Sequence, residues 1–554
     1  MSSRRTVRKV LPGLLVLTLA AACGGSTGPS NSPDAGPGAP VTVKDGGSLT
    51  FGADQEPTGF NVLTSKDAGT AGVNIVSGVL PSVFRTHPDF TVQLDSELME
   101  SAELTSDTPQ TIVYKIKPAA KWSDGDPIDA KDFTYLWKAQ NGTNDKFDVA
   151  STTGYEDIAS VVGSDGDKTV TVVFKKVFAD WQSLFSTLLP SHVAEKMTGG
   201  VEEAWNNGFN KAIPVSGGPF KLGNYTPTQS VTLVRNDAYF GKKAPLDSVV
   251  FRFLSESTTQ PDALKNGEVQ LIYPQPQLDL VASLQGVPGI VSQTNFGLTF
   301  EHFDFNFKTP GLENIAVRKA IALGLDREAI LARTVKQFSD KATGLGSRIY
   351  VNNQPEYVDH TGEFTKGDVA AATALLDGAG YVKGSDGIYA KGGKKLSFRF
   401  STTQGNALRE TQGELFKTQM KAIGIDIKIN NSVSKVLFGE RLPAGDFDIA
   451  NFAWVSTPFA TANKSIYSTG QGQNYGKYSN PAVDQAFLDA NGTLDPKERA
   501  DKFNAIDKLL WDDMVTIPLY QKPTFIAYSD KYGNIGDNAS SEGPFWNVGT
   551  WGLK

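Results

Sequence analysis

The stretch Val215–Phe253, VSGGPFKLGNYTPTQSVTLVRNDAYFGKKAPLDSVVFRF, constrains the fold more tightly than any other part of this chain. Gly217 and Gly218 permit a backbone bend that Pro219 then stiffens, and Phe220–Leu222 is an apolar run able to start a strand. Val231 and Leu233 alternate with Thr232 and Val234, Asn236-Asp237 turns the chain into Tyr239-Phe240-Gly241, and Val249–Phe253 supplies a further strand. The pattern predicts antiparallel β structure closed by aromatic plugs.

With 554 residues the chain exceeds what one hydrophobic core supports, so at least two lobes are expected. An apolar share of 40% and a charged share of 20% describe a globular protein, neither a fibre nor a disordered chain. The net charge of -7 becomes -11 once Arg4, Arg5, Arg8 and Lys9 are removed with a leader, and an acidic body gives no support for nucleic-acid binding. Cys23 is the single cysteine, which excludes an internal disulfide and a cysteine metal cluster. The basic residues precede an apolar run, Val10–Ala22, that is short for a bilayer span, and Leu19-Ala20-Ala21-Ala22-Cys23-Gly24 resembles a bacterial lipobox, with Ala20 where Leu is usual. We therefore expect a signal peptide over 1–22, a lipidated Cys23 and a flexible tether within 23–45, where Gly24–Pro40 holds only Gly, Ser, Thr, Pro, Asn, Asp and Ala.

Further blocks follow in order. Lys121–Asp132 reads KWSDGDPIDAKD: Asp124-Gly125 turns the chain and Asp129 caps a helix with Asp132 at its third position. Asp124, Asp126 and Asp129 are not an EF-hand, whose sixth-position glycine and twelfth-position glutamate are here Asp129 and Tyr135. Val161–Phe174 is expected to be a hairpin, and Val73–Phe84 a helix. Thr299–Lys308, ending near Asn306, is an aromatic strand. In Val317–Ile330, Asp326 can end one helix and cap the next, and Arg318 and Arg327 can pair with it. Arg409–Ile423 predicts a helix and Ile425–Ile429 a strand, the signature of an α/β lobe. Asp446–Ala450 leads to Trp454, Ser456, Thr457 and Phe459; Asn480-Pro481 and Asp495-Pro496 start helices; Ile517-Pro518-Leu519-Tyr520 is a strand.

Motif by motif, these blocks resemble those of the extracytoplasmic solute-binding proteins of family 5, the peptide and nickel receptors of ABC importers, from Gly47 to the C-terminus. The resemblance implies a two-lobed α/β fold of the periplasmic-binding-protein type (class C, cluster C), with two hinge crossings and an extra subdomain in the first lobe. It places lobe I at 46–85, 214–296 and 525–554, the subdomain at 86–213 and lobe II at 297–524. It implies a monomeric, lipid-anchored receptor on the extracytoplasmic face of the cell membrane. That receptor would capture a peptide or peptide-like solute by hinge closure and pass it to a permease and ATPase complex. The solute cleft is expected to include Glu56, Phe60, Asn61, Asn306, Trp454, Ser456, Thr457, Phe459 and Tyr520. Peptide receptors of the family commonly place an aspartate three residues after the cleft tryptophan to pair with the peptide's amine; here that residue is Thr457, which carries no charge, and a carboxylate such as Glu56 could replace it. No cofactor, metal or catalytic residue is expected. The four histidines form no H-E-x-x-H, no P-loop occurs, and the one G-x-S-x-G match, Gly24–Gly28, falls in the expected tether and not between a strand and a helix, so it gives no nucleophile elbow. His302 with Glu301 and Asp304 is the only tight charged group around a histidine, and Glu301 and His302, as neighbours on a strand, point to opposite faces. A lipoprotein using the fold as a sensor or partner-binding surface, and a secreted hydrolase, stay open as alternatives.

Overall fold

The computed structural model describes residues 40–554. The signal-peptide, lipobox and Cys23 readings lie outside the described residues.

Ten strands form one mixed sheet, in the order Asp426–Ile429, Ser397–Ser401, Ile449–Val455, Ile290–Phe305, Thr516–Ser529, Leu271–Ile272, Ser48–Ala53, Ser248–Phe253, Ser230–Arg235 and Phe220–Thr226. The two long central strands belong to both lobes. Ile290–Phe296 pairs with Pro523–Ser529 in the first lobe, and Phe300–Asp304 pairs with Thr516–Gln521 and with the strand Ile449–Val455 in the second. The register breaks between Phe296 and Phe300. There Leu298 donates its amide to the Ala539 carbonyl (2.7 Å), and a Cβ on Gly297 would lie 2.0 Å from that carbonyl oxygen. A glycine is needed because two backbones meet at this point. The sequence showed only the second half of this strand, because Ile290–Phe296 is half-buried and lacks the aromatic run that marks Thr299–Phe305.

The opening stretch forms the antiparallel edge of the first lobe, and Ser48–Ala53 lies parallel to Ser248–Phe253. Its turn is pinned by backbone bonds: Gly217 and Gly218 both donate to the Val79 carbonyl, and Phe220 donates to Gly78. The Ser216 hydroxyl reaches the Val79 carbonyl at 2.8 Å. Neither glycine adopts a left-handed φ. A Cβ on Gly218 would stand 2.5 Å from the Gly78 oxygen, so the requirement is close approach and not the bend itself. The same contact shortens the helix expected over Val73–Phe84 to Thr70–Val76, since Gly78 and Val79 must present free carbonyls to this turn. Phe545 closes the lobe from the C-terminal end, packing on Phe51 and Phe251.

A four-stranded sheet, Met99–Asp107, Gln110–Ile116, Thr169–Phe174 and Ile158–Ser164, with the helix Ala130–Gln140 makes a separate layer. Asp129 and Asp132 form the capping box of that helix. Asp132 also accepts from the Trp122 indole (3.1 Å) and from Ser191, which accounts for tryptophan and aspartate sharing one block.

In the second lobe, helices Ile315–Gly324, Arg327–Arg333, Val369–Gly378 and Ala407–Ala422 pack beside the sheet. Asp326 caps as expected, accepting from Ala329 at 2.8 Å, but Arg318 and Arg327 do not pair with it. Arg318 donates to the carbonyls of Leu312, Glu313, Asp513 and Met514, and Arg327 to those of Leu345, Phe364 and Leu519. Both guanidiniums are buried, which pushes their pKa down to about 10; carbonyl oxygens from converging loops take the donors of Arg318 and the two terminal nitrogens of Arg327, while Arg327 Nε stays without a partner among the described residues.

Candidate functional site

A cavity of about 360 Å³ lies between the lobes, within the size range of small-solute pockets. The first lobe contributes Asp54, at the end of Ser48–Ala53, the start of the helix Thr70–Val76, and Tyr273. The second contributes Phe438 and the run from Phe452, where the strand Ile449–Val455 carries its side chains out of the core. The crossing strand Thr516–Ser529 contributes Lys522.

One wall is aromatic. Trp454 stacks between His302 (6.0 Å, 15°) and Tyr475 (5.9 Å, 17°), with Phe452 edge-on at 5.2 Å. His302 is fully buried, and burial, with the nearby Arg409 and Arg348, holds its pKa down at about 3, so the ring is neutral and acts as an aromatic plate. Glu301 points to the opposite face, as alternation requires, and is bound there by Arg409: Nε to Oε1 at 2.6 Å and Nη2 to Oε2 at 3.4 Å. Asn451 adds a donor at 3.1 Å. Burial pushes the Lys522 pKa down to about 8, with Glu301 and Asp54 acting upward and Arg409 downward. Burial raises the Asp54 carboxyl, opposed by Lys522 and Arg409.

Of the residues expected in the cleft, Trp454, Ser456, Thr457 and Phe459 come together on this cavity. The Thr457 hydroxyl is engaged locally with the Phe459 backbone. A second cavity of about 340 Å³ shares Thr457 and Phe459 and continues toward Ser82 and Arg85 at the subdomain side. The other five lie off the cavity. Glu56 accepts from Tyr225 and Thr228 and meets Lys435 of the second lobe at 3.4 Å. Phe60 packs edge-on against Tyr225, and Asn61 donates to the Trp205 carbonyl. Asn306 braces the Gly445 and Phe447 carbonyls, and buried Tyr520 bonds Gln412. Asp54, Arg409 and Lys522 were not anticipated. Lys522 left one signal, being the sole charge in the strand Thr516–Ser529.

Away from the cleft, Asp124 and Asp126 gather around His192 on the subdomain surface, with Lys196 at 3.8 Å from Asp126.

The lobes touch around the cavity. Lys435 bridges to Glu56, Tyr475 donates to the Ser65 carbonyl, and Lys464 pairs with Glu156 of the subdomain. Residues 93–477 match the family description "Bacterial extracellular solute-binding proteins, family 5 Middle". The chain belongs to family 5 of these solute-binding proteins. Family 5 proteins are non-enzymatic substrate receptors. The oligopeptide-binding protein OppA of Mycobacterium tuberculosis is 28% identical over 92% of this chain and 86% of its own. The solved periplasmic EDTA-binding protein EppA superposes with a TM-score of 0.82 and 31% identity, covering 93% of this chain and 98% of EppA. AppA from Bacillus subtilis, solved with a nonapeptide, superposes at 0.83 with 24% identity over 93% of this chain and all of AppA, a likeness of fold.

Proposed function

We propose that this family 5 receptor is anchored outside the cell through a lipid on Cys23, captures a peptide or peptide-like solute between its lobes, and delivers it to an ABC permease. The observation that carries this reading is the inter-lobe cavity, with an aromatic wall, a charged floor and two strands crossing beside it. The adjoining second cavity suits an elongated solute. In this reading lobe I comprises 46–85, 214–296 and 525–554, the subdomain 86–213 and lobe II 297–524, and solute contacts come from Trp454, Ser456, Thr457 and Phe459. Glu56, Phe60, Asn61, Asn306 and Tyr520 stand behind the walls as braces. A ligand that contacts both lobes shifts the population toward the closed form, which the permease then reads. OppA and AppA, both named or solved as peptide binders, support the peptide class.

A second reading, a small polycarboxylate, is favoured by the uncharged Thr457 and by the likeness to EppA, whose name carries EDTA. Native mass spectrometry of gently purified protein, followed by thermal-shift screening against peptides and carboxylic acids, decides between them. Retained or stabilising peptides support the first. Protein that retains nothing and is stabilised by no solute would falsify both.

A further inference from the structure

Two charges at the cavity floor meet no counter-charge. Lys522 is 7% exposed and lines the cavity, and among the described residues its ammonium takes part in no ion pair or hydrogen bond. Asp54 lines the same cavity and, among the described residues, forms no ion pair. The two feel each other's field without meeting. The neighbouring charges are committed: Arg409 holds Glu301 in two bonds and Thr403 in a third, and Glu301 also accepts from Asn451.

A buried ammonium without a counter-charge is unfavourable, and the carboxylate of the half-buried Asp54 is partly desolvated as well. Direct pairing would remove both penalties, yet Asp54 closes a first-lobe strand while Lys522 is fixed on the crossing strand. Groups left incomplete in this way mark the place where a ligand completes them. The floor offers one charge of each sign beside the apolar faces of Phe438 and Trp454.

We propose that Asp54 and Lys522 bind the ammonium and the carboxylate of a zwitterionic solute, a short peptide or amino-acid derivative with both ends free. This rests on the inter-lobe cavity being the solute site. It moves recognition of the amine from the position of Thr457, which has no charge, to Asp54. Charge-assisted bonds of this kind are stronger than neutral ones, so blocking either end of the solute is costly.

The test uses the purified protein and di- and tripeptides of alanine and leucine in four forms: free, N-acetylated, C-amidated and doubly blocked. Calorimetric Kd values are expected to weaken tenfold or more when either end is blocked. Lys522→Met should erase the preference for the free acid over the amide while keeping the preference for the free amine, and Asp54→Asn should do the reverse. Lys522→Arg should restore the preference for the acid. Equal affinity for free and blocked forms in the unaltered protein overturns the assignment, and that comparison needs no variant to fold. So does binding of succinate, citrate or EDTA when no zwitterion binds, an outcome that leaves the receptor reading intact. If neither panel stabilises the protein and it retains no solute mass, the receptor reading fails and this inference with it.

Discussion

The turn at Val215–Phe220 and the cavity floor at Asp54 and Lys522 both sit in tightly packed surroundings, but they treat polar groups in opposite ways. At the turn the polar groups that hold it are matched: the Ser216 hydroxyl bonds Val79, Gly217 and Gly218 donate to the same carbonyl, and Phe220 donates to Gly78. At the floor, one buried ammonium and one carboxylate go unpaired. Full satisfaction is what a scaffold needs, because an unmet buried polar group is unfavourable. A receptor has to keep some groups unmet until its solute arrives. The difference separates residues that identify the fold from residues that choose the ligand.

The largest test of this contrast is Glu301→Gln. It removes the partner of a buried guanidinium just behind the floor, and breaking such a pair is expected to destabilise by about 3–5 kcal/mol. A fall in the unfolding midpoint smaller than that of a surface control would place Arg409 with the ligand groups and not with the scaffold. Next comes pH. Lys522 titrates near 8 in the folded protein, below the ordinary 10.5 of the unfolded chain, with Glu301, Arg409 and Asp54 as the charges facing it. Between those values the unfolded state binds the extra proton, so solute-free stability from this group rises with pH across that window, by at most about 3 kcal/mol. The cost is present in full below pH 8. Thermal melts from pH 7.5 to 10 should show the unaltered protein gaining on Lys522→Met, while its affinity for free peptides falls over the same range. A flat difference would mean the ammonium is not buried as described.

Gly218→Ala drives a methyl group against the Gly78 oxygen, an overpacking expected to cost about 2 kcal/mol. Denaturation should reveal the loss, and solute affinity of the folded protein should be unchanged. An altered affinity would break the separation of scaffold from floor. The smallest effect is expected for Lys435→Ala. Its bridge to Glu56 is partly exposed, so about 1 kcal/mol or less of closure free energy is at stake, read as a severalfold faster solute release that high salt mimics in the unaltered protein.

Much of the fold was legible in the order of residues. Asp129, Asp326, Asn480 and Asp495 cap the helices they were expected to cap, since a cap is a local bond between near neighbours. The hairpin over Val161–Phe174 and the strands after the Ser216 turn form for the same reason. Expectations weakened where partners came from afar. Arg318 and Arg327 were matched to the nearest carboxylate, but they serve carbonyls nearly two hundred positions away. Glu56 stood out as a spare acid, yet Tyr225 and Lys435 occupy it, while Asp54, two residues earlier, faces the cavity.

The sequence by itself determined the family, the α/β lobes and the helix caps, because these follow from local spacing and from motifs read along the chain. Only the tertiary structure decided which charges are spent and which are free. Arg409 is neutralised by Glu301, 108 positions away, whereas Lys522 is placed beside Asp54 without touching it. Charge balance is a property of space, and the chain folds residues 54, 301, 409 and 522 into one small volume.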